Sequence, residues 1–287
     1  MDKKSIRDGI EILPLLMFIV ITKFFSLKTK VRIGGWLVRY LIIANQKLRR
    51  RVVKNLDLIM PAKSEFEKNR FIRNFGHFIG MTFTELIFNI EFQKNISRFQ
   101  YSHQDLKPLI KANKEGRPII IVSAHLGAWE AVRAVLKMHN LTAGAIYKKN
   151  KNQFYEAIHL KAIKAGGEPI FQTGLSGTKN MVKYLRRGGI VAIMLDQAVE
   201  DGEYFDFFGV PAKTATSAAK IAIKLNALVV PSYAIRSKKN DKIKIYFEDP
   251  IPNSNYRNMT AMITKSIETR VSNNPEQWYW LHRRWKY

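Results

Sequence analysis

The sequence contains no cysteine, and this absence excludes several kinds of chemistry at once. The chain can form no disulfide framework, no thiolate metal site and no covalent intermediate on a cysteine. A serine hydrolase is also excluded, because Gly174-Leu-Ser-Gly-Thr178 ends in threonine where the nucleophile-elbow pattern requires glycine. The 6 histidines are scattered and no glycine-rich phosphate loop is present, so we expect neither a metal ion nor another cofactor.

Acidic residues are scarce relative to basic ones. The chain has 23 Asp and Glu against 48 Lys and Arg, a formal net charge of +25. Such a chain is expected to associate with a polyanion, which could be nucleic acid, an anionic membrane, a phosphorylated ligand or an acidic protein. Because the sequence carries no recognised DNA- or RNA-binding module, we expect no nucleic-acid partner.

Long apolar runs are also scarce, and the longest lies near the N-terminus. Residues 12–21, ILPLLMFIVI, lie between basic residues, and no small-residue cleavage site follows them. A helix over residues 10–25 would be about 24 Å long, short of the ~30 Å hydrocarbon core of a bilayer. We predict that residues 1–30 are a hydrophobic anchor lying in the membrane interface. A marginal transmembrane span and a buried core helix are the alternatives.

The hydrophobic periodicity changes near residue 116. Before it, apolar residues at three- to four-residue spacing predict helices over residues 31–115. After it, apolar runs alternate with amphipathic segments, which is typical of a parallel sheet covered by helices. We therefore predict an α/β fold: a single mostly parallel sheet covered by helices, with a helical N-terminal extension and a membrane anchor. Residues 31–287 form one domain, helical over 31–115 and α/β over 116–287. The predicted strands are 118–123, 143–147, 168–171, 190–195, 228–234 and 243–248, and the predicted helices of this part are 128–139, 153–165, 176–187, 214–226 and 257–272.

The most informative segment is residues 119–130, IIIVSAHLGAWE. An apolar run typical of a buried strand ends in a turn that Gly127 permits, and a helix follows. His125 is therefore expected at the carboxyl end of a strand, where α/β folds commonly bind ligands. Glu130 would lie in the first helical turn and could fold back on the imidazole. Such a pair could deprotonate a hydroxyl, although a structural core histidine is the alternative.

Polar residues follow two other predicted strands and are expected at the same edge of the sheet. Lys148 and Lys149 follow the second strand and could hold a phosphate or stabilise an oxyanion, unless they form a solvated basic turn. Asp196 and Gln197 follow the fourth strand. The aspartate could orient a ligand, pair with a lysine or cap the next turn.

Two C-terminal segments add candidate anion sites. Lys213 and Thr214 end an aromatic loop that leads into a predicted helix, so Thr214 or Thr216 could cap that helix or help to bind an anion. Arg283 and Arg284 lie among tryptophans near the C-terminus. These arginines could bind phosphate in a bidentate manner while the segment meets a membrane, or the tryptophans could pack into the core.

Together these motifs resemble those of the late lipid A acyltransferases, the lauroyl- and myristoyl-transferring enzymes of Gram-negative envelopes. More widely they resemble the lysophospholipid acyltransferase superfamily with its His-x4-Asp/Glu motif. The matching motifs run in order over residues 115–287 and are His125-Leu-Gly-Ala-Trp-Glu130, Tyr147-Lys148-Lys149-Asn150, Leu195-Asp196-Gln197, Phe207-Phe208-Gly209 with Thr214, and WYWLHRRWK at 278–286.

The resemblance implies that residues 31–287 are an acyltransferase domain. The reaction would move a fatty acyl chain from an acyl carrier protein thioester to a hydroxyl of a lipid A precursor, at the cytoplasmic face of the inner membrane. His125 would be the general base and Glu130 would orient it, without a covalent acyl-enzyme. Acyl carrier protein is acidic, so the basic surface would attract it and would also hold anionic lipids at the inner-membrane surface.

The sequence departs from this family at Lys148, where an arginine within a Tyr-Arg-Pro-like turn is usual. Lysine keeps the charge but lacks the planar fork that binds phosphate or carboxylate. An acceptor other than lipid A, such as another glycolipid or an aminolipid, therefore stays open. The sequence also leaves open whether coenzyme A is the acyl carrier. A non-catalytic basic membrane-binding protein on the same scaffold is the remaining alternative.

Overall fold

The computed structural model describes residues 3–238 and 241–285. The helices are α1 (Lys3–Thr22), α2 (Leu27–Ala44), α3 (Gln46–Ile59), α4 (Glu65–Ile87), α5 (Asn89–Phe92), α6 (His103–Lys114), α7 (Glu130–Met138), α8 (Gln153–Gly166), α9 (Leu175–Leu185), α10 (Ser217–Leu225) and α11 (Tyr256–Asn273). The strands are β1 (Phe99–Gln100), β2 (Ile119–Ser123), β3 (Ala143–Tyr147), β4 (Ile170–Gln172), β5 (Ile190–Met194), β6 (Glu203–Phe207), β7 (Val210–Thr214), β8 (Leu228–Arg236) and β9 (Ile243–Phe247).

Seven strands form one sheet in the order β1-β9-β8-β2-β5-β3-β4. All neighbouring pairs are parallel except β8 and β9, which confirms the predicted mostly parallel sheet. The central strand β2 is buried along its whole length, because helices cover both faces of the sheet. Its Ile119-Ile-Ile-Val run suits this position, since β-branched side chains pack well on a pleated surface.

Residues 203–214 form an antiparallel hairpin instead of the predicted aromatic loop. Strands β6 and β7 pair from Glu203 with Thr214 to Phe207 with Val210. Phe208 and Gly209 close the turn, both with positive φ (61° and 74°), as tight hairpin turns require. Because the first of these positions is Phe208 and not a glycine, the sequence lacks the usual signal for such a turn. Helix α10 then starts with Thr216 at its N-cap, but that side chain makes no capping hydrogen bond.

Helix α1 lies on the surface and is not the buried core helix that was one alternative. Its polar side contacts α8: the side-chain amide of Asn152 donates to the Asp8 carbonyl at 2.8 Å. Its apolar side is open, with Ile10 63% and Val20 67% exposed. Within residues 3–238 and 241–285 no helix is long and apolar enough to cross a bilayer. Charged residues in the first half of α1 and Pro14 shorten its apolar stretch.

Candidate active site

The parallel register of β2 and β5 places His125 beside Asp196. Ser123 of β2 pairs with Met194 of β5, and His125 and Asp196 each lie two residues beyond this pair. The two side chains therefore leave the same edge of the sheet, and His125 Nδ1 lies 2.9 Å from Asp196 Oδ1. The backbone N–H of His125 also donates to Asp196 Oδ2 at 3.0 Å. Two hydrogen bonds from one residue fix the imidazole relative to this carboxylate.

The Asp196 carboxylate is buried, with a relative exposure of 2%, yet it is held in its ionised form. Burial by itself would raise the pKa of Asp196. The His125 side chain, the Trp278 indole and the His125 backbone N–H together outweigh that effect and lower the pKa below its ordinary value. Trp278 Nε1 donates to Oδ2 at 2.8 Å. The site thus contains a negative charge in contact with the Nδ1 edge of the imidazole.

Three backbone hydrogen bonds hold the turn after β2. The N–H of Gly127 donates to the Gln277 carbonyl at 3.0 Å, and the N–H of Ala128 donates to Ala234 at 2.8 Å. Gly127 has φ +63°, and a Cβ there would lie 2.1 Å from the Ala234 carbonyl oxygen. Tyr279 donates its N–H to the His125 carbonyl at 3.0 Å. The turn therefore needs glycine, and the C-terminal segment fixes the position of the histidine.

Glu130 does not contact His125, contrary to the expectation from their spacing. Its carboxylate accepts hydrogen bonds from Arg133 Nη1 at 3.1 Å and from the side-chain amide of Asn89 at 3.0 Å. Glu130 begins α7, and Arg133 lies one turn later on the same face of that helix, so the pair forms within the helix. Glu130 and Arg133 form a buried charge pair, and Asp196 takes the predicted place of Glu130 beside the imidazole.

His125 lies in the wall of a cavity of about 800 Å³ at the carboxyl edge of the sheet. Its lining comes from strands β3 and β5, from helices α4, α7 and α8, and from the segments that follow the strands, and it contains both apolar and polar side chains. The apolar lining residues include Leu86, Trp129, Ala145, Ile146, Ile163, Ala192, Ile193, Met194 and Leu195, and the polar ones include Glu130, Arg133, Lys148, His159, Gln197, Glu200 and His282.

The sequence matches the family model described as bacterial lipid A biosynthesis acyltransferase over residues 12–287. This chain belongs to that acyltransferase family. It is 22% identical to Lipid A biosynthesis acyltransferase 2 of Shigella flexneri, over 87% of this chain and 80% of that protein. It is 21% identical to the Lipid A biosynthesis palmitoleoyltransferase of Escherichia coli K12 (81% and 77%) and to a Lipid A biosynthesis acyltransferase of Haemophilus influenzae (93% and 84%). The family predicted from the ordered motifs is confirmed, and the protein is an acyltransferase.

Some of the substrate-binding residues predicted for this acyltransferase lie at the cavity. Lys148 is exposed and lines it, and Gln197 lines it beside His125, with its side-chain nitrogen 3.4 Å from Nδ1. Asp196 contacts Nδ1 of the imidazole directly. Among the described residues, it forms no ion pair with Lys148 or Lys149. Lys149 is exposed on the same turn but is not part of the described cavity lining.

The other predicted binding residues are not part of the described cavity lining, although Lys213 contacts Glu200, which is. Arg284 is 1% exposed, and its Nη2 donates to Thr214 Oγ1 at 2.7 Å, while its Nη1 donates to the Lys213 carbonyl. Burial lowers the pKa of Arg284 to about 10. Lys213 Nζ donates to the Glu200 carbonyl at 2.9 Å. Arg284 and Thr214 thus bind each other inside the protein and join β7 to the C-terminal segment, although Arg284 Nε has no hydrogen-bond partner among the described residues. Their predicted role as phosphate ligands stays a prediction.

Arg283 is exposed near this cluster but does not line the described cavity. The neighbouring Trp278, Trp280 and Trp285 are at most 7% exposed, which confirms the alternative that the tryptophans pack into the core.

Arg133 and His159 are among the cavity residues of the acyltransferase that were missed from the sequence. Arg133 Nη2 donates to the Gly167 carbonyl at 2.5 Å and Nη1 to the Ile163 carbonyl at 3.0 Å, so this cation joins α7 to α8. Its spacing of three residues from Glu130 was a usable signal for the ion pair. Burial lowers the pKa of His159, although the negative charges of Glu156 and Glu130 oppose this effect. Nothing in the local sequence around His159 indicated that it lines the cavity.

Proposed function

We propose that this acyltransferase moves a fatty acyl chain from an acyl carrier protein thioester to a hydroxyl group of a lipid A precursor, with His125 as the general base. The observation that carries the proposal is the contact of the ionised, buried Asp196 with His125 Nδ1 in the wall of the 800 Å³ cavity. Membership of the lipid A family supports the acceptor class.

The contact with Asp196 assigns the imidazole tautomer. An ionised carboxylate can only accept hydrogen bonds, so Nδ1 carries the proton and Nε2 keeps its lone pair. Asp196 also stabilises the imidazolium that forms when Nε2 takes up a proton, as the carboxylate of a catalytic triad does. The buried position of Asp196 strengthens this effect, because water does not screen the interaction.

The reaction follows from this arrangement. His125 Nε2 removes the proton of the acceptor hydroxyl as its oxygen attacks the thioester carbonyl carbon. The carbonyl electrons move to oxygen, and on their return the carbon–sulfur bond breaks. The leaving thiolate takes the proton from the imidazolium, so the products are an ester and a free thiol, and the base is regenerated. No covalent acyl-enzyme is needed.

Two other features of the cavity fit the proposal. The apolar lining from β3, β5 and α8 suits a fatty acyl chain, because each buried methylene contributes about 0.8 kcal/mol. Lys148 is the exposed cation of the lining and is suited to the developing oxyanion or to an acceptor phosphate. Arg133 is not available for this role, because its nitrogens bind Glu130 and backbone carbonyls.

The surface of the protein supports attachment to the inner-membrane face and recruitment of the acidic carrier. Helix α1 exposes Met17, Val20 and Ile21 while its polar side contacts α8, which is the arrangement of an interfacial helix. The net charge of +25 favours anionic lipid headgroups and an acidic carrier protein.

Mass spectrometry of lipid products tests the proposal. Purified protein is incubated with acyl carrier protein thioesters and a Kdo-bearing tetra-acyl lipid A precursor. We expect the mass of one added acyl group with the wild type and none with His125→Ala, whose folding is checked by thermal unfolding.

Parallel reactions separate the parts of the proposal. Coenzyme A thioesters replace the carrier protein in one series, and a non-lipid A glycolipid replaces the acceptor in another. Product that forms with coenzyme A thioesters but not with the carrier protein would contradict the proposed donor. Product that forms with the other glycolipid but not with the lipid A precursor would contradict the proposed acceptor. Wild-type rates in His125→Ala would contradict the role of the base.

A further inference from the structure

A second cavity, of about 390 Å³, lies between α2 and α4, apart from the His125 cavity. Both cavities border α4, but at different points: His77 lines the second and Leu86 lines the first. These residues are nine positions apart, about 13 Å along the helix axis at 1.5 Å per residue. The residues lining the second cavity are Arg32, Trp36, Arg39, Arg70, Asn74, His77, Phe78, Lys238 and Glu276.

The lining of this cavity carries excess positive charge. It contains four permanent cations and one carboxylate, Glu276, which accepts hydrogen bonds from Lys238 Nζ at 2.9 Å and from the Asn74 amide at 2.7 Å. Over residues 3–238 and 241–285, no carboxylate lies within 4.0 Å of the guanidinium groups of Arg32, Arg39 or Arg70, since none of the ion pairs includes them. Arg70 and Arg32 act on Glu276 and Asp241 only from beyond that distance, so the positive charge of the lining exceeds the negative charge of its one carboxylate.

Arg39 is placed especially well for an anion. Its guanidinium lies over the Trp36 ring, 4.7 Å from the ring centroid, which orients the group. Its Nε is buried and has no hydrogen-bond partner in the described part of the chain. A buried donor without an acceptor is unfavourable, so an acceptor from a ligand would stabilise it.

An exposed apolar face of α2 borders the arginines. Trp36, Leu37, Tyr40 and Leu41 are each 47–60% exposed and share one side of the helix. Trp36 stacks on Tyr40 with a centroid distance of 5.9 Å. Tryptophan and tyrosine are the residues that favour the membrane–water interface, where an apolar body and a polar edge are both satisfied.

We infer that the cavity between α2 and α4 binds the phosphate of an anionic membrane phospholipid, whose acyl chains lie along the apolar face of α2. The planar forks of Arg32, Arg39 and Arg70 match phosphate geometry, which Lys238 supplements as a point charge. The adjoining apolar face favours a lipid over a soluble phosphate ligand. This site holds the acyltransferase on the membrane and does not depend on the reaction at His125.

Trp36 provides a direct spectroscopic readout of this site. It is 47% exposed, whereas the other four of the 5 tryptophans are at most 8% exposed. We expect vesicles of phosphatidylglycerol and phosphatidylcholine to shift the tryptophan emission to the blue, and brominated phosphatidylglycerol to quench it. Vesicles of phosphatidylcholine alone should give neither change. Trp36→Phe removes the signal and so assigns it.

The matched variants are Arg32→Gln/Arg70→Gln and, as a control, Arg186→Gln/Arg187→Gln. All four arginines are exposed, so both variants should fold, and both lose two charges. Since basic residues at the surface of an anionic membrane are attracted to it, we expect the loss of two of them from the site to weaken binding to phosphatidylglycerol vesicles at least ~10-fold. The control should lose less than ~3-fold.

Three results would overturn the inference. The first is equal weakening of the two variants, which would mean that net charge alone drives binding. The second is unchanged binding of the cavity variant. The third is a difference between the variants only when the vesicles contain the phosphorylated acceptor lipid, which would make the cavity part of acceptor recognition. None of these readouts uses catalytic turnover, so they are independent of the proposed reaction.

Discussion

Two buried carboxylates at the carboxyl edge of the sheet have opposite surroundings. Asp196, after β5, contacts the imidazole of His125, while Glu130, at the start of α7, contacts Arg133 and Asn89. The Arg133 guanidinium and the Glu130 carboxylate form a buried ion pair within the core. An imidazole can gain and lose a proton near neutral pH. Under the proposed mechanism, Asp196 therefore has a catalytic role and Glu130 a structural one, although both residues lie close to the same cavity.

The largest effect is expected from Asp196→Asn. The asparagine oxygen can still accept from Trp278 and from the His125 backbone, but its amide would face Nδ1 and favour the tautomer with the proton on Nε2. We expect kcat to fall by about 10³–10⁴-fold, as for other histidine bases that lose their orienting carboxylate. Initial rates of acyl transfer measure this change, and chemical denaturation should show a loss of unfolding free energy below ~2 kcal/mol.

A rate within about tenfold of the wild type in the folded Asp196→Asn protein would contradict the assignment. It would mean that the contact between Asp196 and His125 maintains the turn after β2 and has no part in proton transfer.

Glu130→Gln should act mainly on stability. The change leaves Arg133 as a buried charge without its counter-ion, and breaking a buried pair in this way costs about 3–5 kcal/mol. Since glutamine keeps one acceptor oxygen, we expect a loss near ~3 kcal/mol in urea denaturation. The kcat of the folded variant should fall less than ~10-fold. Glu115→Gln, on an exposed glutamate, is the control and should change stability by less than ~0.5 kcal/mol.

The opposite pattern would restore the role that the spacing first suggested for Glu130. That pattern is a thousandfold loss of kcat in Glu130→Gln with unchanged unfolding free energy.

The sequence predicted the sheet because its strands have a strong local pattern. The run Ile119-Ile-Ile-Val is apolar throughout, as a strand covered on both faces must be. The hairpin of β6 and β7 was missed, because Phe208 adopts a positive φ that residues of its type rarely show. The pairing of Phe99–Gln100 with β9 was missed for another reason: two residues are too few to show an alternating pattern.

The site was predicted only in part, because its key contact is not local. His125 and Asp196 were both recognised as residues that end strands, but 71 positions separate them. Only the parallel register of β2 with β5 shows that they meet. The spacing of five residues between His125 and Glu130 suggested a contact between them. The Glu130 carboxylate instead binds Arg133. Sequence separation shows which residues could meet, whereas charge and burial decide which pair forms.

The pH dependence of stability should differ between the wild type and Asp196→Asn. The folded-state pKa of Asp196 is lowered below 3.8. A carboxylate with a lowered pKa contributes stability above its unfolded pKa and loses it as the pH falls through the folded value. We therefore expect the wild type to be more stable than Asp196→Asn at pH 6, and this difference to shrink below about pH 4.

Urea denaturation at several pH values measures this difference. Glu156 and Glu276 also have lowered pKa values, so the comparison of the two proteins is needed to isolate Asp196. A stability difference that stays constant from neutral to acidic pH would show that charge on Asp196 does not stabilise the fold.

The smallest effects should come from removing one donor from each carboxylate while both acids remain. Trp278→Phe removes the indole N–H from Asp196, and we expect kcat to fall about 3- to 10-fold because the carboxylate holds the imidazole less firmly. Asn89→Ala removes an amide from Glu130 and should lower the unfolding free energy by about 1–3 kcal/mol, with kcat within ~2-fold. Since both side chains are buried, both variants lose stability, and only the rate of acyl transfer separates them. Equal losses of kcat would mean that the shape of the cavity, and not the orientation of the imidazole, limits the reaction.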